Sequence, residues 1–122
     1  MASDRYRQAG GTGASAHTIR WNGKAVKVRP LLPPREMSEF LNSVMDACID
    51  REHGSMMPEF MDLAIRANTV LRYTDMEIPE TLDGQTELLY GTELYDTVRE
   101  HICKAQLDAL IHAAEICMRG SM

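Results

Sequence analysis

Cysteine is scarce in this chain of 122 residues. Cys48, Cys103 and Cys117 are odd in number and far apart, which argues against a disulfide framework and fits a reducing compartment. Basic side chains are outnumbered, 13 against 18 acidic, and the net charge of −5 runs against the positive surface on which most nucleic-acid binders rely. Aromatic residues make up 6% of the chain, with a single tryptophan, so a base-stacking platform has little to be built from. No apolar run approaches the roughly 18–20 residues that cross a bilayer. The opening MASDRYRQAGGTGASA lacks the apolar centre of a secretory signal.

Motifs that carry chemistry are missing too. There is no G-x-S-x-G elbow and no H-E-x-x-H pair, and Gly10-Gly11-Thr12-Gly13 lacks the lysine and preceding strand of a phosphate loop. His101-x-Cys103 and His112-x4-Cys117 do not bring two ligands together on a tight turn, as structural zinc sites do. Cys103 and Cys117 extend an apolar stripe through Leu107, Leu110 and Ala114 and read as small hydrophobes, while His101 and His112 fall on the polar side. All three cysteines belong to apolar faces of an acidic body, without the positive surroundings that activate a thiolate. The expectation is no enzyme, no metal, no cofactor and no small-molecule ligand.

What is present suits one folded domain: 44% hydrophobic and 25% charged residues at an ordinary domain length. The charge is unevenly placed. Residues 1–35 hold Arg5, Arg7, Arg20, Lys24, Lys27, Arg29 and Arg35 against Asp4 alone, a balance of +6, and residues 36–122 stand at −11. Opposite patches of this kind steer association and fix register, within a molecule or between copies.

Residues 1–16 are rich in Gly, Ser and Ala and read as a flexible tail. Residues 17–122 read as a single helical domain. In residues 17–29, HTIRW-NG-KAVKVR, Asn22-Gly23 lies between two alternating runs, the signature of a type I′ hairpin. That turn sets Trp21 opposite Lys24, Ile19 opposite Val26 and His17 opposite Val28. Ile19, Trp21, Val26 and Val28 then share one face, and Thr18, Arg20, Ala25, Lys27 and Arg29 the other. Pro30-Leu31-Leu32-Pro33-Pro34 stiffens the crossing into a first helix over 35–50, with Met37, Phe40, Leu41, Val44 and Cys48 on its buried face and Met45 and Ile49 widening it. Residues 50–55 read as a loop. A second helix over 58–73 would bury Phe60, Leu63, Ala64, Ala67 and Leu71, flanked by Met61, Ile65 and Val70. A third over 82–90 would end on a left-handed Gly91, with Thr92 capping the last segment. There the apolar phase slips between Ile102 and Leu107, which predicts a break near residues 103–105. The fold class is mainly α: one domain of four to five helices with an N-terminal two-stranded β-hairpin.

The residues selected for partner contact are Trp21, the aromatic that anchors the hairpin, and the basic Lys24, Lys27 and Arg29. Met56 and Met57 join them, because flexible thioethers on an exposed loop suit an adaptable surface. On the hairpin's outer face, Arg20, Lys27 and Arg29, without aromatics there for stacking, would attract phosphate weakly, so direct nucleic-acid binding is not expected.

Several strings together carry a resemblance. They are W-N-G-K-x-V-K-V-R-P-L from Trp21, R-E-M-S-E-F from Arg35, and M-P-E-F-M-D-L-A-I-R-A-N-T-V-L-R-Y-T-D from Met57. Q-T-E-L-L-Y-G-T-E-L-Y from Gln85 and K-A-Q-L-D-A-L-I from Lys104 complete the set. With its size and helical character, the chain resembles small tail-module proteins of Firmicutes tailed phages and prophages, similar to phage tail assembly chaperones. That resemblance implies a non-enzymatic protein of the bacterial host cytoplasm, or of the virion. It would act by protein–protein interaction in tail morphogenesis, with the tape measure, the tail tube or copies of itself as partners. The same features fit a neck or tail-completion subunit that closes a ring. A different class is a small acidic inhibitor of a host nucleic-acid enzyme, with carboxylates of residues 75–100 standing where phosphates would lie.

Overall fold

Asn22 and Gly23 take the positive φ angles, 49° and 80°, that a type I′ turn demands and that only Asn and Gly adopt readily. The computed structural model of the protein, which describes residues 16–121, accordingly begins with a hairpin of β1 (His17–Trp21) and β2 (Lys24–Val28). Its register pairs Trp21 with Lys24, Ile19 with Val26 and His17 with Val28, as the alternation implies. Ile19, Val26 and Val28 are buried, and Trp21 packs half-buried against the same core. The tail expected over residues 1–16 lies, Ala16 apart, outside the described residues.

A hairpin alone is marginal in water, and this one is extended by a short third segment. The Arg29 N–H donates to Tyr73 O at 2.8 Å and the Asp75 N–H to Lys27 O at 3.2 Å, so Val28 bridges Thr74. The Lys27 N–H donates in turn to the Asp75 carboxylate at 3.0 Å. The crossing that follows is short of donors, because Pro30, Pro33 and Pro34 have no N–H. The buried peptide of Leu32 is satisfied by a side chain that mimics a strand. Gln106 Oε1 accepts from the Leu32 N–H at 2.8 Å, and Gln106 Nε2 donates to Leu32 O at 3.0 Å. The Tyr73 hydroxyl also donates to Gln106 Oε1, at 2.6 Å, and Pro30 O accepts the Cys103 N–H at 2.9 Å.

Helix α1 (Pro34–Ala47) starts on a proline and buries Phe40 and Val44. It ends earlier than expected. Residues 50–55 are not a plain loop, because β3 (Ile49–Asp50) and β4 (Ser55–Met56) pair antiparallel around a turn in which Gly54 takes φ 70°. Cys48 closes α1 fully buried, but Ile49 has left the helix and is 37% exposed instead of widening its face.

A 3₁₀ turn (Pro58–Phe60) leads into α2 (Met61–Tyr73), the central helix, which packs against α1, α3 and α4. Its buried face differs from the one its apolar spacing implies. Phe60 and Leu63 are half-buried and Leu71 is 45% exposed, while Ile65, Asn68, Thr69, Val70 and Tyr73 are buried with Ala64 and Ala67. Apolar spacing misses this because Asn68 and Thr69 hide their own polarity. Asn68 Nδ2 donates to Ala64 O at 2.9 Å and Thr69 Oγ1 to Ile65 O at 2.7 Å, which lets both face the core.

Helix α3 (Leu82–Tyr90) is capped by Thr81, whose hydroxyl accepts the Gly84 N–H at 3.0 Å. Gly91 ends it with φ −86°, not left-handed. Glycine is needed there for room, since a Cβ would stand 2.5 Å from Glu87 O. α4 (Leu94–Arg99) follows with Glu93, not the expected Thr92, at its N-cap, although the Thr92 hydroxyl accepts the Leu94 N–H at 3.2 Å. The predicted break falls slightly earlier, over residues 100–103, before α5 (Lys104–Ser121). Leu107, Leu110, Ala114 and Met118 line the buried side of α5, and Cys117 is exposed. Met118 stands three full turns after Leu107, whereas Cys117 points away from that line. The described residues thus form a mainly α domain with an N-terminal hairpin, and none of their helices is long and apolar enough to cross a membrane.

Replacing Gln106 with leucine strands both polar groups of Leu32, and a loss of about 2–3 kcal/mol is expected for a buried peptide left unpaired. Tyr73→Phe keeps the clamp and should cost about 1 kcal/mol. Urea unfolding of the two variants checks the order.

Candidate functional site

The outer face of the hairpin carries Arg20 and Lys27 to solvent, with Lys24 exposed beside the turn. Arg20 braces that turn, its guanidinium donating to Gly23 O at 3.0 Å. Arg29 is differently placed. It pairs with Glu36 and donates to Arg72 O at 3.1 and 3.0 Å, so its charge fastens the hairpin to α1 and α2. Arg72 continues the network. Its guanidinium donates to Asn68 Oδ1 at 3.1 Å, to Glu39 at 3.1 Å and to Ser43 Oγ at 2.9 Å. Trp21 faces inward, and Met56 and Met57 are half-buried on and beside β4. The structure therefore exposes both Lys24 and Lys27, but on opposite faces of the hairpin, Lys24 on the face of its partner Trp21 and Lys27 on that of Arg20. It assigns Arg29 and Trp21 to the hairpin's attachment and sets the methionine pair apart from both.

Between β2, the start of α1 and the end of α2 lies an open groove of about 570 Å³. Leu71 and Pro33 give it apolar walls, and Lys27, Arg29, Glu36, Arg72 and Asp75 surround them. The exposure of Leu71, unexplained by its place in an apolar repeat, has its context here.

The acidic side of the molecule includes α3 and α4, with Asp83, Glu87 and Asp96 exposed on them. Residues 75–100 hold eight carboxylates and one arginine, Arg99. Leu82, Asp83, Thr86, Glu87 and Tyr90 form the exposed face of α3. Arg66 of α2 holds that helix in place: its guanidinium lies 4.5 Å from the Tyr90 ring centre and 4.6 Å from that of Tyr95. It also donates to Asp62 at 3.0 Å and to Leu89 O at 3.1 Å. Asp62 accepts the Tyr90 hydroxyl as well. Burial, then the bond to Asp62 and its charge, push the Tyr90 phenol up to about 12, and burial raises Tyr95 in the same direction.

The described cysteines, histidines and the β3–β4 turn lie apart from these surfaces. Burial, reinforced by Glu59, pushes the Cys48 thiol up, the opposite of an activated nucleophile. His17 and His101 rings sit 5.2 Å apart where the hairpin meets the α4–α5 break, and His112 is exposed. Asp50, Glu52 and His53 bring three ligand atoms within 4.8 Å of one another in the β3–β4 turn. There the bond from His53 holds the Asp50 carboxyl below its ordinary value. Sequence reasoning passed over Gln106, Arg66 and Arg72. For Arg66, the Asp62 four residues before it was the available signal. No protein-family model, curated protein or solved structure matches the chain.

The raised Tyr90 value has a consequence for stability. A phenol whose folded value lies above the unfolded value near 10 adds stability that is fully present below about pH 10, and this is lost as pH rises towards about 12. Because Tyr90 is half exposed, solvent screening keeps this contribution small: melting temperature should fall modestly between those limits, and Tyr90→Phe should reduce the fall.

Proposed function

We propose that this protein is a non-enzymatic interaction module of tailed-phage tail morphogenesis, a tail assembly chaperone-like protein of the host cytoplasm. The observation that carries the interaction part is the presence of two unlike exposed surfaces on one shared core. One is a basic hairpin beside a partly apolar groove, and the other is an acidic helix face bearing Leu82 and Tyr90. Exposed apolar side chains ringed by charge suit reversible protein contact. The tail assignment rests on the sequence strings from Trp21 to Ile111 that resemble phage tail-module proteins. A tape measure is a long helical protein that needs cover until the tube closes on it, and amphipathic helices dock into grooves with apolar walls.

A second reading, a neck or tail-completion subunit that forms rings, is favoured by a specific point. The basic and acidic surfaces are complementary, and complementary surfaces that point in different directions build heterologous assemblies.

The test is co-expression of the full chain with helical fragments of the tape-measure protein from the same phage genome. Co-purification at fixed stoichiometry is expected, with Kd in the micromolar range or below. A cognate fragment that washes off at once contradicts the chaperone reading.

A further inference from the structure

The geometry points to a self-association surface in which the exposed face of α3 from one copy occupies the β2–α1–α2 groove of the next. This rests on the reading of the protein as an interaction module, but not on the identity of any phage partner.

The two surfaces match in shape and chemistry. The groove offers Leu71, 45% exposed, with the exposed cations Lys27 and Arg20 on the adjoining hairpin face. The α3 face offers Leu82 and Tyr90, 52% and 47% exposed, eight residues and about two turns apart on one side of the helix. Asp83 and Glu87 stand between and beside them. An apolar knob flanked by carboxylates thus meets an apolar wall beside the exposed cations Lys27 and Arg20; of the groove's own carboxylates, Glu36 is paired with Arg29 and Asp75 accepts the Lys27 N–H. Among the described residues, Lys27, Lys24, Asp83 and Glu87 have no side-chain hydrogen bond or ion pair. Their charges are therefore available to a partner, unlike those of Arg29, Glu36 and Arg72.

One molecule cannot satisfy both halves itself. Its own α3 is held against the Arg66 side of α2 by the Tyr90 and Leu89 contacts. Leu71 comes five residues after Arg66, about 140° around the helix, so groove and α3 face point in different directions. Each copy therefore offers an unfilled groove and a helix face on which Leu82 is exposed and Tyr90 stays 47% exposed beside Arg66, and the contact is head-to-tail. Such contacts close into rings or run on as filaments, depending on the rotation per subunit.

The experiment is absolute mass by light scattering after size exclusion on the full chain and two charge-swapped variants. One variant is Arg20→Glu with Lys27→Glu, the other Asp83→Lys with Glu87→Lys. All four positions are exposed, and unchanged melting temperatures confirm folding. Wild type should show masses above 13.7 kDa that rise with concentration near 0.1 M salt. Association should weaken at least about tenfold near 1 M salt, where screening shortens to about 3 Å. Each variant alone presents like charge on both surfaces and should stay at the monomer mass. Mixed one to one, the two present opposite charge at both contacts, and the wild-type mass should return.

A wild-type monomer at every concentration and salt overturns the proposal. So does an oligomer indifferent to the swaps, which would place the contact elsewhere, or a mixture that stays monomeric. A monomer that still captures a tape-measure fragment would leave the interaction-module reading standing without this surface. An oligomer that captures none would do the reverse.

Discussion

A proline-rich crossing that buries a peptide with no strand beside it is the constraint on which the rest of this structure depends. Pro30, Pro33 and Pro34 supply no N–H, so the segment cannot join a sheet on both sides. Leu32 is nevertheless buried, and a buried peptide without partners costs more than most single contacts return. The Gln106 side-chain amide resolves this by presenting donor and acceptor as a neighbouring strand would. Because the same oxygen also accepts from Tyr73, one residue of α5 ties the crossing to α2. The Cys103 N–H, freed by the break between α4 and α5, closes on Pro30 O. Hairpin, α1, α2 and α5 are thereby fixed to one another at a single place.

The two exposed surfaces follow from that arrangement. With β2 held against the end of α2, Lys27 stands beside Leu71 and the groove is defined. With Arg66 clasped between Tyr90 and Tyr95, α3 lies on another side of α2 and turns its carboxylates outward. Cation–π contacts of this kind contribute about 0.5–2 kcal/mol each, depending on exposure, enough to orient a nine-residue helix that is otherwise capped only by Thr81. The exposed charges contribute little to folding, since surface pairs such as Lys104–Asp108 are worth a fraction of a kcal/mol. Their placement bears on association.

Legibility in the sequence tracked the range of the interactions involved. The hairpin register could be read because Asn22-Gly23 and a two-residue alternation are local signals, and the break before α5 because a phase slip needs only neighbours. The mainly α class with its N-terminal hairpin followed from the same periodicities. The β3–β4 pair could not be read: two-residue strands are held by a turn and by tertiary contacts, not by a pattern of their own. The buried side of α2 was misplaced because Asn68 and Thr69 bond to carbonyls one turn back and so behave as core residues. Cys117 was assigned to the core because a three-residue step from Ala114 fits a helix as well as the four-residue step to Met118. Of the residues chosen for partner contact, Lys24 and Lys27 are exposed on opposite faces of the hairpin, while Arg29 works inward with Glu36 and Arg72. Gln106 carried no sequence signal, since nothing local distinguishes a glutamine that solvates from one that completes a strand.

The measurement that bears most directly on this account is native-state hydrogen exchange at the Leu32 and Cys103 amides. If the crossing is the joint that makes hairpin and helices one cooperative unit, both should exchange only through global unfolding, as slowly as Val70 in the central helix. Both should lose that protection together in Gln106→Leu. A Leu32 amide that exchanges freely in the wild-type protein while Val70 stays protected would contradict it.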